Sequence, residues 1–284
     1  MTIDNTTPQS VFNKNIGSLP AEFPSLPGNV LDLFLLTNKN GVITGGARGI
    51  GYCISEAYCQ AGIAKLAIID YADNDVAIGE LKKRFPKTQI VFKHCDVRKA
   101  DMVKTVIEEI HQDFGSIEVF VANAGIAWTS GALIEQENDD EWHNVMNVDL
   151  NGVYYCAKNI GRIFKQQGTG SLVLTASMSA HIVNGPQLQA AYNAAKAAVM
   201  HLGKSLAVEW VDFARVNSIS PGYIATELSD FVPEDIKNAW YMVTPKGRQG
   251  LPRELVGAYL YLASDASTFT TGSDIKVDGG YTSV

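Results

Sequence analysis

The sequence predicts a doubly wound α/β fold, a seven-stranded parallel sheet with helices on both faces. Three observations carry that expectation. Short apolar runs rich in Val and Ile recur along the chain without the polar alternation of a half-exposed strand, as strands covered on both faces do. Longer amphipathic segments separate them, which is the rhythm of a βα repeat. The 284 residues, 46% of them hydrophobic, can bury a large core, and no internal repeat or low-complexity linker divides them.

The elements follow in order. Residues 1–40 form an irregular arm, punctuated by Pro8, Pro20, Pro24, Pro27 and Gly28, with the apolar phrase "NVLDLFLL" as a short helix docking on the body. From 41 to 284 the pattern is regular and is expected to form one domain. Its strands are "NGVITGG", "AKLAIID", "QIVFKHCDV", "IEVFVANAG", "SLVLTAS", "ARVNSIS" and "DIKVDGG". Between the first two, Ile50, Cys53, Ile54, Ala57 and Tyr58 recur at helical spacing, as do Met102, Val106 and Ile110 after the third. From 227 to 250 aromatic and charged residues interrupt the rhythm, and this segment is read as a substrate lid.

Composition excludes several functions. A net charge of -7 argues against general affinity for nucleic acid or an anionic membrane. The polar start lacks the pattern of a signal peptide, and no apolar run reaches spanning length. Cys53, Cys59, Cys95 and Cys156 have neither metal spacing nor the density of a secreted scaffold, so buried free thiols, no metal and a cytoplasmic setting are expected.

The chemistry begins at "TGGARGIG", which follows the first strand and opens the first helix. Gly45, Gly49 and Gly51, with Arg48 and Ile50 between them, suit a turn where a pyrophosphate approaches a helix N-terminus. The absence of a following Gly-Lys-Ser/Thr makes a P-loop the poorer match. Asp70 ends the second strand nineteen residues past Gly51, where a carboxylate can accept both ribose hydroxyls. It would repel a 2′-phosphate by roughly 1 to 4 kcal/mol, so NAD(H) is favoured. NADP(H) stays possible because Arg48 offers that phosphate a partner. Asp96 and Val97, after the third strand, are placed to meet adenine, although Asp96 is equally suited to capping the next turn. Further on, "QAAYNAAKAAV" sets Tyr192 and Lys196 four residues apart on one helix face.

These motifs together resemble the short-chain dehydrogenase/reductase family: "TGGARGIG", "CDV", "ANAG" with Asn123 and Gly125, a serine before the tyrosine, "YNAAK", and "SPGYIAT" with Pro221, Gly222, Ile224 and Thr226, all in the family's order. The narrower similarity is to the fungal branch of sorbose reductases, mannitol dehydrogenases and carbonyl reductases, carried by "LPGNVLDLF", "ASMSAHIVNGPQLQAAYNAAK" and "VDGGYT". The resemblance implies that residues 41–284 are a Rossmann dinucleotide-binding and catalytic domain, and it implies hydride transfer between a nicotinamide cofactor and a ketone or secondary alcohol. Tyr192 would be the general acid/base, since a phenol titrating near pH 10 needs a nearby cation such as Lys196 to work near neutrality. Lys196 would also hold the nicotinamide ribose. Ser177 would polarise the carbonyl, with Ser179 competing for that role. Pro221, Gly222, Ile224 and Thr226 would border the nicotinamide. Where the family places an asparagine, in "VNLxG", this chain reads "NVDLNG", so the position is Asp149. A relay through the main-chain carbonyl accepts that change, whereas one through a side-chain amide would turn to Asn147 or Asn151.

The family's habit also implies a homotetramer. For a small-molecule ketone or alcohol substrate, Trp128, Trp240 and Met242 would suit an aryl group, with His181, Asn184 and Gln189 as the polar alternative. The rival reading is a catalytically silent dinucleotide-binding sensor or scaffold.

Overall fold

The computed structural model describes residues 22, 25, 26, 28–183, 185–230 and 232–284, without the side chains of Leu228 and Asp230. Most of the expected arm and Asn184 lie outside these residues. Seven strands form one parallel sheet: β1 Asn40–Thr44, β2 Lys65–Asp70, β3 Gln89–His94, β4 Val119–Ala122, β5 Ser171–Thr175, β6 Arg215–Pro221 and β7 Asp274–Val277. Their order is β3-β2-β1-β4-β5-β6-β7. The winding reverses between β1 and β4, and a ligand crevice opens beyond the strand ends at such a switch point.

The helices are α1 Gly49–Gln60, α2 Asp75–Arg84, α3 Ala100–Phe114, α4 Asp140–Met146, α5 Gly152–Gln167, α6 Ala190–Glu209, α7 Glu227–Asp230, α8 Glu234–Val243 and α9 Val256–Ala263. Consecutive strand residues serve opposite faces, as the pleat requires. Val42, Ala67, Phe120 and Leu172 pack with α3 and α5 residues such as Ile107, Ile160 and Phe164. Their neighbours Ile43, Ile68, Val121 and Val173 pack with Ile54 and Tyr58 of α1 and Tyr259 of α9. This two-sided burial is why the strands read as unbroken apolar runs. Each fully buried side chain of this size contributes about 1.5–3 kcal/mol relative to exposure.

The expected docking helix is a single 3-10 segment, Val30–Phe34, with no buried residue. The anchor is Leu36, fully buried, whose N–H donates to the Ala61 carbonyl at 2.9 Å. Cys59, Cys95 and Cys156 are buried free thiols, while Cys53 is only half-buried. Among the described residues no helix is long and apolar enough to cross a membrane, and no His, Cys, Asp and Glu cluster could hold a metal.

Candidate active site

A cleft of about 630 Å³ opens at the switch point. Its floor is the β1–α1 turn. Gly45 and Gly49 have φ of +64° and +51°, values an L side chain rarely adopts. A Cβ on Gly51 would stand 2.0 Å from the Gly45 carbonyl oxygen, so the turn can close only on glycine. The Asn123 side chain fixes it from just past β4, donating to the Thr44 and Gly45 carbonyls at 3.1 and 3.2 Å while Thr175 Oγ1 donates to its Oδ1 at 3.2 Å. Arg48 precedes α1 without a side-chain cap, which leaves the helix's first N–H groups facing the cleft, as an anion site requires.

At the second strand's end Asp70 is buried, and both its oxygens are engaged. Oδ2 accepts from the Ala47 N–H at 3.1 Å and Oδ1 from the Ala72 N–H at 3.3 Å. Asp96 is likewise committed. Arg98 grips it through Nε at 2.9 Å and Nη2 at 2.8 Å and reaches Asn144 at 3.1 Å. That contact holds the Asp96 carboxyl below its ordinary pKa, with the Arg98 hydrogen bond as the largest cause. Arg48 is exposed, lines the cleft and has no ion-pair partner among the described residues.

Ser177, Tyr192 and Lys196 converge on the same cleft. Ser177 stands just past β5 in extended conformation. Its Oγ accepts from the Ser179 N–H at 3.1 Å and donates to Ser179 Oγ at 3.1 Å. Gln189 Nε2 then donates to Ser179 Oγ at 3.4 Å and to Asn193 at 3.3 Å. Lys196, 3% exposed, donates to the Thr175 carbonyl at 3.1 Å and lies 5.5 Å from the Tyr192 ring centre. Burial raises the Tyr192 pKa above its ordinary value; Lys196 opposes that rise, Asp149 adds to it, and a hydrogen bond with Ser177 opposes it. Lys196 therefore acts in the expected direction, while the net displacement is upward.

Asp149 lies in a single π-helical turn, Asn147–Asn151, between α4 and α5. Such turns re-aim side chains and recur at functional sites. Here the turn places Asp149 at zero exposure, with Oδ1 accepting from the Ile126 N–H at 2.9 Å and standing 3.9 Å from Lys196 Nζ. Its Oδ2 is buried with no hydrogen-bond partner. Gly125 makes the arrangement possible, because a Cβ there would meet Asp149 Oδ1 at 2.7 Å. Burial raises the Asp149 carboxyl to about 6 against the opposing pull of Lys196 and the Ile126 amide. Asn147 and Asn151, the alternatives for this position, bond to each other at 2.8 Å.

On the far side Pro221, Gly222, Ile224 and Thr226 line the cleft. Of the expected substrate residues, Ser179 and Trp240 line it and Trp128 and Met242 do not. The Trp128 indole donates to the Gly131 carbonyl at 2.8 Å and packs with Val145 and Ala191. Met242 is 88% exposed. Of the polar alternatives, Gln189 lines the cleft, while His181 pairs with Asp274 at 2.8 Å outside it. Sequence reasoning missed Tyr223, whose ring stacks on Trp240 with centres 3.9 Å apart, and Thr129, Gln187 and Gln249. For Tyr223 the signal was present, inside "SPGYIAT".

A glycine-floored crevice at a switch point, with a Tyr–Lys pair and a serine at its inner end, defines a dinucleotide-dependent oxidoreductase. The chain matches the family model described as enoyl-(acyl carrier protein) reductase over residues 45–282. It is 52% identical to a probable NADP-dependent mannitol dehydrogenase of Yarrowia lipolytica, covering 96% of this chain and 98% of that one. It is 53% identical to a sorbose reductase of Candida albicans, covering 96% and 97%. Among solved structures, an NADPH-dependent 3-quinuclidinone reductase from Rhodotorula rubra superposes with a TM-score of 0.86 at 41% identity, covering 93% and 99%. The chain belongs to the short-chain dehydrogenase/reductase family. The expected nicotinamide-dependent oxidoreduction of a ketone and secondary alcohol pair is borne out.

The expected preference for NAD(H) is corrected. Relatives in this branch are named NADP-dependent, against the choice that Asp70 implied. Its carboxylate already accepts two backbone amides, which draw off part of the charge that would repel a 2′-phosphate.

Proposed function

We propose that the protein is an NADP(H)-dependent reductase of polyhydroxy ketones, interconverting a ketose and its polyol. The observation that carries this reading is the convergence of Ser177, Tyr192 and Lys196 on one cleft with the glycine turn. The glycine cradle and the open α1 N-terminus suit a dinucleotide diphosphate. Arg48 would hold the 2′-phosphate, since Arg98 is bound to Asp96. When bound, the cofactor supplies or accepts the hydride at the substrate carbon.

The chain's own groups do the rest. Tyr192 donates its phenolic proton to the carbonyl oxygen during reduction and accepts it back during oxidation. Ser177 Oγ, held in place by the Ser179 amide, turns the proton it gives Ser179 Oγ toward the developing alkoxide as a second hydrogen bond. Lys196, fixed by the Thr175 carbonyl, steadies the phenolate and would hold the nicotinamide ribose. Amides and hydroxyls of Ser179, Gln187, Gln189 and Gln249 offer a sugar several partners. Residues 227–250 act as a lid, with Ser229, Val232 and Trp240 on its cleft side and the Ile224–Gly250 bridge as its root. The exposed Tyr154 of α5 and Val208 of α6 suit packing between subunits of a homotetramer.

The test is reduced-cofactor consumption with sorbose, L-xylulose and a hydroxyl-free cyclic ketone, each with NADPH and with NADH. Ketose turnover favouring NADPH is expected. Turnover of the cyclic ketone alone would replace the substrate class, and equal ketose turnover by Y192F would overturn the assigned chemistry.

A further inference from the structure

We propose that Asp149 is a positioning residue that biases the site toward proton donation: its carboxylate shares the Lys196 ammonium and thereby keeps the Tyr192 phenol protonated. The proposal rests on Tyr192 being the acid/base of the reaction. Three features of geometry carry it. Asp149 Oδ1 stands 3.9 Å from Lys196 Nζ, with both side chains buried. Its second oxygen is buried without a hydrogen-bond partner, so apart from the Ile126 N–H on Oδ1 no donor draws the charge away. Gly125 leaves Asp149 Oδ1 and Lys196 Nζ room to face each other, since a Cβ there would stand 2.7 Å from one and 3.3 Å from the other. A neutral amide at this position could accept the Ile126 N–H equally well. The carboxylate adds only charge.

The sign follows from electrostatics. A lone ammonium beside a phenol favours the phenolate and lowers its pKa. A carboxylate facing that ammonium offsets its field and repels the phenolate, so the phenol holds its proton to higher pH. Both effects act on Tyr192, where Lys196 pulls the pKa down and Asp149 pushes it up. Ketone reduction needs the protonated phenol and alcohol oxidation the phenolate. An ionised Asp149 extends reduction toward alkaline pH and delays oxidation.

The titratable groups facing Asp149 are Lys196 and Tyr192, both from α6. The loop after β4 contributes the Ile126 backbone amide. From α4, α5 and the loop after β3, no charged side chain lies within ion-pair distance among the described residues. The carboxyl itself titrates at about 6 because of burial. Below that pH the bias is lost, and Lys196 acts on Tyr192 unopposed.

The experiment reads the phenol directly, apart from turnover. The protein is labelled with 13C at the tyrosine ζ carbon, and Y192F assigns the resonance. In the unsubstituted protein the Tyr192 signal should show a small step near pH 6, followed by its own titration. In D149N the step should vanish and the phenol should titrate lower by roughly one unit. The pH profiles should move with it: the alkaline loss of reduction and the onset of oxidation each shift down by a similar amount. A Tyr192 titration unchanged in D149N, or no step near pH 6 in the unsubstituted protein, would overturn the proposal. If D149N does not fold, the second observation alone decides. A merely structural role would lower activity at every pH and leave the phenol where it was. Should Tyr192 not be the acid/base, the resonance would move while the pH profiles stayed fixed, which separates the two failures.

Discussion

Asp149→Asn should make the protein more stable at pH 8 and leave its stability nearly unchanged at pH 4. The carboxyl is fully buried, and burial lifts its pKa from 3.8 to about 6. Its folded value therefore lies above its unfolded one. Stability from this group is fully present below the unfolded pKa and is lost as pH rises through about 6, because the unfolded chain releases the proton first. A difference of about two units, at 1.36 kcal/mol each, amounts to about 3 kcal/mol. Asparagine escapes that loss, since its Oδ1 can accept the Ile126 N–H and Lys196 keeps the Thr175 carbonyl. For a chain of this length the unfolding entropy is about 0.6 kcal/mol/K, so D149N should melt about 5 °C higher at pH 8. The assay is thermal unfolding by circular dichroism of both proteins from pH 4 to 8.5, read as the difference in Tm at each pH. A difference that is flat across this range, or a variant that melts lower at pH 8, would refute the reasoning.

Three further outcomes are expected. Y192F should lower kcat by about 10²–10⁴-fold, with Tm nearly unchanged because the ring still packs against the Trp128 cluster; steady-state kinetics and a melting curve check both. S177A should lower kcat by about 10²–10³-fold as a lost alkoxide donor, whereas S179A should act mainly on KM, a split read from the same kinetics. R48A should weaken NADPH binding by about 10- to 100-fold, the worth of a charge-assisted hydrogen bond, and change NADH binding far less; titration calorimetry with each cofactor decides.

The parts of the site legible in the sequence are those set by local geometry. Tyr192 and Lys196 share a helix face because they are one turn apart, and the glycine turn follows a strand whose five residues are all buried. What escaped depends on helix phase and on packing between distant elements. Trp240 and Met242 were both proposed as walls, yet two residues on a helix stand about 200° apart. Only one can face the cleft, and α8 turns Trp240 inward against Tyr223. Trp128 sits beside cleft residues in sequence, but its indole N–H is satisfied by Gly131 and its ring belongs to a separate cluster with Val145. The burial of Asp149 depends on the extra residue of the π turn, and nothing in "NVDLNG" announces a register shift.

The acid at the end of β2 teaches a different lesson. From the sequence, Asp70 is a carboxylate at the place where a ribose would present two hydroxyls, and that reading is sound for an unengaged side chain. The glycine turn brings a competitor. Ala47, one residue before Arg48, turns its amide to Asp70 Oδ2, and Asn74 Nδ2 holds the Ala47 carbonyl at 2.9 Å from the other side. Arg48 then continues in extended conformation, with φ of -154°, and lines the cleft. One short stretch of backbone thus engages the carboxylate that would select against a 2′-phosphate and presents the cation that would receive one. On the proposed NADP(H) reading, the residue at the strand end does not set cofactor choice alone: the donors that the folded turn brings to Asp70 share in it.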